Sequence, residues 1–292
     1  MRLSTIATAQ GSKACAEWGG VLVDLSAVDP SLPTTVKGLL GLGHEGWPAI
    51  RSAAERGALN SAATFAFDKV QRLAPVPAPA KIICLGLNYS DHAAESGVEP
   101  PSEPVLFSKY ATALVGHEAD VVLPKVSREV DYEAELVVVI GRGGRHISRE
   151  SAMEHVGGYT VGHDVSARDW QLNKPGKQWM AGKTFDTFAP TGPCVVTPDE
   201  VPNPQDLRIQ LRLNGKTMQD SRTSQLIFPV DYVISYLSQI FTLEPGDLIF
   251  TGTPPGVGMA RKPPVWLQPG DVVEVEIEHL GILRNRMVAE GA

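Results

Sequence analysis

The chain has 292 residues, 43% of them hydrophobic and 20% charged, and a formal net charge of -7. That length buries a large core, and the acidic balance argues against nucleic acid or an anionic membrane as partner. With no apolar run of about 18 residues and too short an apolar core at the start for a secretory signal, the expected location is the cytoplasm. Cys15, Cys84 and Cys194 are odd in number and scattered, which fits a reducing compartment with no disulfide framework and no thiolate metal site.

Residues 1–73 read as a small N-terminal α/β domain. A strand pair turns at Gly19-Gly20, and helical segments follow near Thr35–Leu40 and Trp47–Arg56. Prolines at alternate positions make 74–80 a stiff linker, and a second domain, 81–292, opens with a strand from Lys81 to Gly86. The stretch Val130–Gly141 reads as one strand closed by glycine, and Val156–Val161 as another apolar stretch. Ser148–His155 is expected to be a short helix capped by Ser148, with Gly157 near its end. Leu207–Leu213 alternates apolar and polar residues and meets Asn214-Gly215, a hairpin signal. Asp231–Phe241 carries a helical stripe of Val233, Ile234, Leu237, Ile240 and Phe241. Val273, Val275 and Ile277 alternate with glutamates, a half-buried strand with an acidic outer face, and Pro-Gly-Asp turns stand at 245–247 and 269–271. The pattern is a β-rich α+β fold with two sheets rolled together, and not a doubly wound parallel sheet.

Chemistry-bearing residues gather in a few places. Along a strand Glu133 and Glu135 point to one face, roughly 7 Å apart, and Asp164 follows some thirty residues later. The pair is either a solvated strand end or, with Asp164, an oxygen-only site for Mg²⁺, Mn²⁺ or Ca²⁺. His92 and Glu95, three apart, share a helical face. They are either a surface pair or a general base whose imidazole the carboxylate polarises. The Gly- and Pro-rich stretch 96–104 has the composition of a movable lid, expected over about 90–103. Lys183, with Gly182 giving close approach, either snorkels or neutralises an oxyanion. Arg168 and Gln171 either hold a substrate carboxylate or lie on the surface. Residues 249–258 lack a full dinucleotide fingerprint and do not open a helix, although their N–H groups and Thr253 suit an anion. Of the other histidines only His163, beside Asp164, has a claim on the site.

These motifs together resemble the fumarylacetoacetate hydrolase family, especially its fumarylacetoacetate hydrolase domain-containing protein 2 subgroup, over about residues 80–288. The resemblance rests on Gly86-Leu-Asn-Tyr-Ser-Asp-His92, Glu103-Pro-Val-Leu-Phe-Ser-Lys109, Asp131-Tyr-Glu-Ala-Glu135, His163-Asp-Val-Ser-Ala-Arg-Asp-Trp-Gln171, Gly182-Lys-Thr-Phe-Asp-Thr-Phe188 and Thr251-Gly-Thr-Pro-Pro-Gly-Val-Gly258. It implies a mixed β-roll, a homodimer and one Mg²⁺ or Mn²⁺ on Glu133, Glu135 and Asp164. It further implies a His92–Glu95 dyad on a lid and Lys183 in the pocket, with Tyr89, Arg168, Gln171 and Thr253 expected to bind substrate. Asn88 stands where the founding hydrolase has a fourth metal carboxylate. The implied reaction is C–C hydrolysis of a 2,4-diketo acid, an acylpyruvate of the kind met in aromatic catabolism, through a metal-held enolate. Oxaloacetate-type decarboxylation and keto–enol isomerisation are the near alternatives, and a non-catalytic binding protein the distant one.

Overall fold

The strand Ala134–Ile140 is buried on both faces and apolar at six of its seven positions, Glu135 being the exception, and the fold is what buries it. A computed structural model describes residues 1–97 and 99–291. Val98, within the expected lid, and Ala292, the last residue of the expected second domain, lie outside the described residues.

The strand Ala134–Ile140 sits inside an eleven-stranded mixed sheet. From one edge the sheet runs Thr64–Phe65, Val21–Asp24, Gly11–Trp18, Arg2–Thr8, Ala189–Val196 and Val156–His163. It continues through Ala134–Ile140, Leu248–Phe250, Ile82–Gly86 and Val105–Ser108, with Leu114–Val115 paired off this path. Alternation divides the central strand between two cores. Leu136, Val138 and Ile140 meet Ile209, Leu211, Val273 and Val275 of a second, five-stranded sheet. Val137 and Val139 turn to the other side, where Leu39, Leu40 and Ile50 of the helices Val36–Gly41 and Gly43–Ala58 cover them. This two-sided burial is why the run 136–140 is continuously apolar.

The N-terminal segment therefore joins the rest through both hydrogen bonds and packing. Arg2 and Leu3 pair with Val196 and Val195 across the stiff 74–80 connector, and the helices of this segment cap one face of the central strand. The strand pair around Gly19-Gly20, both helices, the hairpin at Asn214-Gly215 and the Pro-Gly-Asp turns form as the sequence predicts. The strand Arg2–Thr8 is an addition to that reading.

Three local expectations need correction. Val130–Gly141 is not one strand: Val130–Asp131 pairs with Ser166–Ala167, and the main strand begins only at Ala134. Ser148–His155 is not a helix beyond a single 3₁₀ turn, Ala152–His155. The His155 carbonyl accepts from Gly141 and Arg142, which draws the chain straight into the strand Val156–His163 with Gly157 inside it. The helix Val230–Ile240 buries Val233, Ile234 and Leu237 as expected, but Ile240 at its end is 50% exposed.

Candidate active site

Antiparallel pairing brings the acids together. Ala134 stands opposite His163, so Glu133 and Glu135 at the start of one strand meet Asp164 just past the end of its neighbour. The Asp164 N–H donates to the Glu133 carbonyl at 2.9 Å, which fixes the crossing point. On the other side Leu248–Phe250 leads to Gly252, whose N–H donates to Glu135 Oε2 at 2.8 Å. Ligand oxygens of Glu133, Glu135 and Asp164 all lie within 4.8 Å of one another, and all three residues are buried.

Two cations brace this cluster. Lys183 Nζ donates to Glu133 Oε2 at 2.7 Å and to Asp164 Oδ2 at 2.9 Å. Arg168 donates from Nη2 to Glu133 Oε1 at 2.7 Å, from Nε to Asp131 Oδ2 at 2.9 Å and from Nη1 to Gln171 Oε1 at 2.9 Å. A Cβ on Gly182 would come within 2.5 Å of the Ala167 carbonyl and the Gln171 nitrogen, so glycine is what lets the short helix Met180–Lys183 sit against the helix Arg168–Leu172. Burial works to raise the Glu133 pKa, but Lys183 and Arg168 outweigh it and hold that carboxyl well below the usual range. Glu135 goes the other way. Burial, then the Asp164 and Glu133 charges, push its pKa well above a normal glutamate.

The residues fit a hard divalent cation. Asp164 Oδ1 is buried without a hydrogen-bond donor, although Lys109 Nζ lies 2.6 Å from it. The protons of that ammonium go to the carbonyls of Val165 at 3.1 Å, Phe188 at 2.8 Å and Lys183. Four buried carboxylates, Asp131, Glu133, Glu135 and Asp164, face three buried cations, Lys109, Arg168 and Lys183. With every group ionised one negative charge would be left over, on Glu135, the acid with no cation of its own, and that surplus is part of what raises its pKa. A divalent ion at this point would reverse the sign and favour an anionic ligand.

A cavity of about 550 Å³ opens beside the cluster, with Glu133, Lys183, Arg168, Gln171 and Thr253 in its wall. His92 and Glu95 line the same cavity from the helix Ser90–Ser96. His92 Nδ1 lies 3.1 Å from Glu95 Oε2, and the Gly256 N–H donates to both Glu95 oxygens at 3.1 Å. The carboxylate is thus held from two sides and orients the imidazole. Phe107, Trp179 and Leu87 add an apolar part to the wall, with Lys183 Nζ 5.1 Å from the Phe107 ring centroid. Trp179 packs so closely on Gly86 that a Cβ there would stand 2.1 Å from its ring.

Not every expected residue is where the motifs suggest. Tyr89 is not part of the cavity wall: its ring is fully buried and its hydroxyl has no partner. Asn88 is structural, its amide bonding the Phe228 N–H and the carbonyls of Phe228 and Thr251. Thr253 Oγ1 accepts from Gln219 Nε2 at 2.9 Å. His163 is buried with both ring nitrogens unpartnered, and burial, then Lys109, pushes its pKa down to about 3, so it is a neutral packing group. Two residues were missed. Lys109 has the same aromatic flanks that singled out Lys183. Asp131 extends the Glu133, Glu135 alternation by one step, and its carboxylate accepts from the Gly258 and Met259 N–H groups at 2.6 and 3.0 Å.

Residues 81–288 match the family model described as fumarylacetoacetate (FAA) hydrolase C-terminal. The chain belongs to the fumarylacetoacetate hydrolase family. Among its relatives in that family is the bovine oxaloacetate tautomerase FAHD2A, mitochondrial (Bos taurus), 49% identical over 92% of this chain and 85% of the relative. A fumarylacetoacetate hydrolase from Exiguobacterium antarcticum superposes with a TM-score of 0.84 at 35% identity, covering 99% of both chains. A 2-hydroxyhepta-2,4-diene-1,7-dioate isomerase from Mycobacterium marinum superposes with a TM-score of 0.77 at 33% identity over the full length of both. Family members thus carry tautomerase, isomerase and hydrolase names on one fold. Among the described residues no helix is long and apolar enough to cross a membrane. The name of the bovine relative places that protein in mitochondria, which differs from the cytoplasmic expectation.

Proposed function

We propose that this protein interconverts the keto and enol forms of a 2-oxo acid such as oxaloacetate, with a divalent cation held by Glu133, Glu135 and Asp164. The observation that carries the reading is the His92–Glu95 dyad lining the same cavity as Lys183 and Glu133. A cation bound by these acids supplies a Lewis acid that polarises the 2-oxo group. The chain's own groups do the proton work. His92 Nδ1 is engaged with Glu95, which leaves Nε2 to take the proton from carbon 3. As that proton leaves, the electron pair moves to the 2-oxygen. Lys183 spends two N–H bonds on Glu133 and Asp164 and keeps a third for the oxygen where charge develops. Delivery of the proton from Nε2 to that oxygen completes the enol, and the reverse path restores the keto acid.

The 49% identity to a protein named oxaloacetate tautomerase supports this reading over our sequence-based preference for hydrolysis. C–C hydrolysis of an acylpyruvate remains the second reading. It is favoured by the cavity of about 550 Å³, which is roomy for a four-carbon acid. In that case His92 would activate water. The test is to follow loss of the enol absorbance of oxaloacetate, and separately the cleavage of acylpyruvates. The wild type should speed the first, a strong chelator should abolish that activity, and Mg²⁺ or Mn²⁺ should restore it. Catalysis that persists in excess chelator sinks the metal assignment, and acylpyruvate cleavage without tautomerisation sinks the preferred reaction. We further propose a homodimer, checked by sedimentation, with Arg168, Gln171 and Thr253 bordering the substrate. The three cysteines are free and buried, which suits a reducing compartment, the cytoplasm or the mitochondrial matrix.

A further inference from the structure

The cations of the cavity are not equivalent. Lys183 and Arg168 are ion-paired with the buried carboxylates of Glu133, Asp164 and Asp131, Arg168 also holding Gln171, and Lys183 keeps one N–H for the 2-oxo end. Lys262 also lines the cavity, yet among the described residues its ammonium makes no hydrogen bond and no ion pair. Its backbone, by contrast, is tied down. Asp131 holds the N–H groups of Gly258 and Met259, and the same carboxylate binds Arg168, which binds the metal-site acid Glu133. Next to Lys262, the Arg261 guanidinium bonds Tyr132 Oη at 3.1 Å, the Gly256 carbonyl at 3.2 Å and the Met218 carbonyl. The loop is therefore fixed relative to the acids, while Lys262, unlike Arg261, has no polar partner among the described residues and stays free to meet a ligand.

Besides Lys262 and the dyad the cavity wall includes the apolar Leu172, Val257, Met259, Phe107 and Trp179. This is a lining for a carbon chain. We propose that Lys262 is the specificity residue of this cavity, receiving the far carboxylate of a 2-oxo diacid such as oxaloacetate. The assignment rests on the reading that the acid cluster and the dyad handle the 2-oxo end. It adds which group recognises the other end.

A matched pair of ligands isolates the effect: 2-oxopentanedioate and 2-oxopentanoate differ in a terminal carboxylate against a terminal methyl. Binding of each to the Mg²⁺-loaded protein is measured by calorimetry, and exchange of the carbon-3 protons into D₂O by NMR. The wild type should prefer the diacid. Lys262 is exposed, so the preference lost in Lys262→Met should be modest, about 3- to 10-fold in the ratio of affinities. Lys262→Arg should keep most of it, and Lys262→Glu should lower the ratio further. Exchange kinetics should show the change in KM, with kcat for the diacid nearly constant. A wild type that does not discriminate, a Lys262→Met ratio equal to the wild-type ratio, or no binding of either acid overturns the proposal. Diacid-selective binding that depends on Lys262, without proton exchange, would sink the tautomerase reading and leave the Lys262 assignment standing.

Discussion

Two regions of this protein are rich in paired charges, and they use them for opposite ends. The five-stranded sheet and its margin carry Arg208–Asp220, Arg212–Glu276, Arg222–Asp206 and Arg286–Asp120, with from 21% to 62% of each side chain exposed. At the ends of the central strands Glu133, Asp164, Arg168 and Lys183 pair within the protein with less than a tenth of each side chain exposed. Water screens the first set, so its pairs are interchangeable and individually weak. The second set has lost its water, so each charge depends on its partner, and the excess negative charge creates a demand for a cation. Burial turns the same residue types from surface decoration into a site.

The sharpest way to break this contrast is Lys183→Met. It leaves Glu133 and Asp164 buried without their shared ammonium, and the expected loss of folding stability is about 3–5 kcal/mol. Denaturant unfolding with and without Mg²⁺ checks it: added cation should recover part of the loss, and a midpoint unmoved by the substitution would mean that other groups compensate. Activity should fall below detection if the same Nζ meets the developing oxyanion as proposed.

His92→Ala probes function without disturbing that charge balance. The dyad touches the cavity but none of the three acids, so kcat should fall about 10²–10⁴-fold while the unfolding midpoint stays put. Glu95→Gln should lose less, since it leaves the imidazole in place. Tautomerisation at the wild-type rate in His92→Ala would remove the dyad from the mechanism.

A smaller effect comes from His117, where the two sheets meet. Its Nδ1 accepts the Arg284 N–H at 3.2 Å, and burial, then Arg72, pushes its pKa down to about 4. The folded protein resists protonating this imidazole, whereas the unfolded chain does so near pH 6.5. Its contribution is therefore present above about pH 6.5 and is lost as pH falls toward 4. After allowance for partial exposure the loss is on the order of 1–2 kcal/mol. His117→Asn should flatten the dependence of the unfolding midpoint on pH in that window, and an unchanged slope would assign the acid sensitivity elsewhere.

The smallest effect is expected on the outer sheet. Arg212→Ala removes the partner of Glu274 and Glu276, whose contacts are 3.3 and 2.7 Å, yet should cost no more than about 1 kcal/mol. A loss matching that of Lys183→Met would erase the distinction between the two regions.

Much of the site was legible in the sequence because its signals are local. Alternation put Glu133 and Glu135 on one face, a spacing of three put His92 and Glu95 together, and Gly182 announced the close approach that seats Lys183. The acid Asp164, some thirty residues on, offered itself as their third partner, and the motif resemblance led to the family. What stayed hidden depends on neighbours far along the chain. Lys109 matters through Asp164 and the carbonyl of Phe188, and Asp131 through Arg168 and the loop at Gly258. The break in the strand at Tyr132–Glu133 was invisible because the residues alternate correctly through it.

The sequence by itself determined the β-rich α+β class, the hairpin at Asn214-Gly215, the amphipathic helix before Phe241 and the identity of the acids. Each follows from periodicity or from residues within a few positions of one another, where backbone geometry alone sets direction. Tertiary structure decided the rest. It stitched Arg2–Thr8 onto Ala189–Val196, nearly two hundred residues away, and so wove the N-terminal segment into the main sheet. It withdrew Tyr89 from the cavity, tied up Arg168 with buried carboxylates and, among the described residues, left Lys262 as the cavity's lysine or arginine without an ion pair. A charge's partner and its distance from water are set by the whole fold, and no spacing along the chain encodes them.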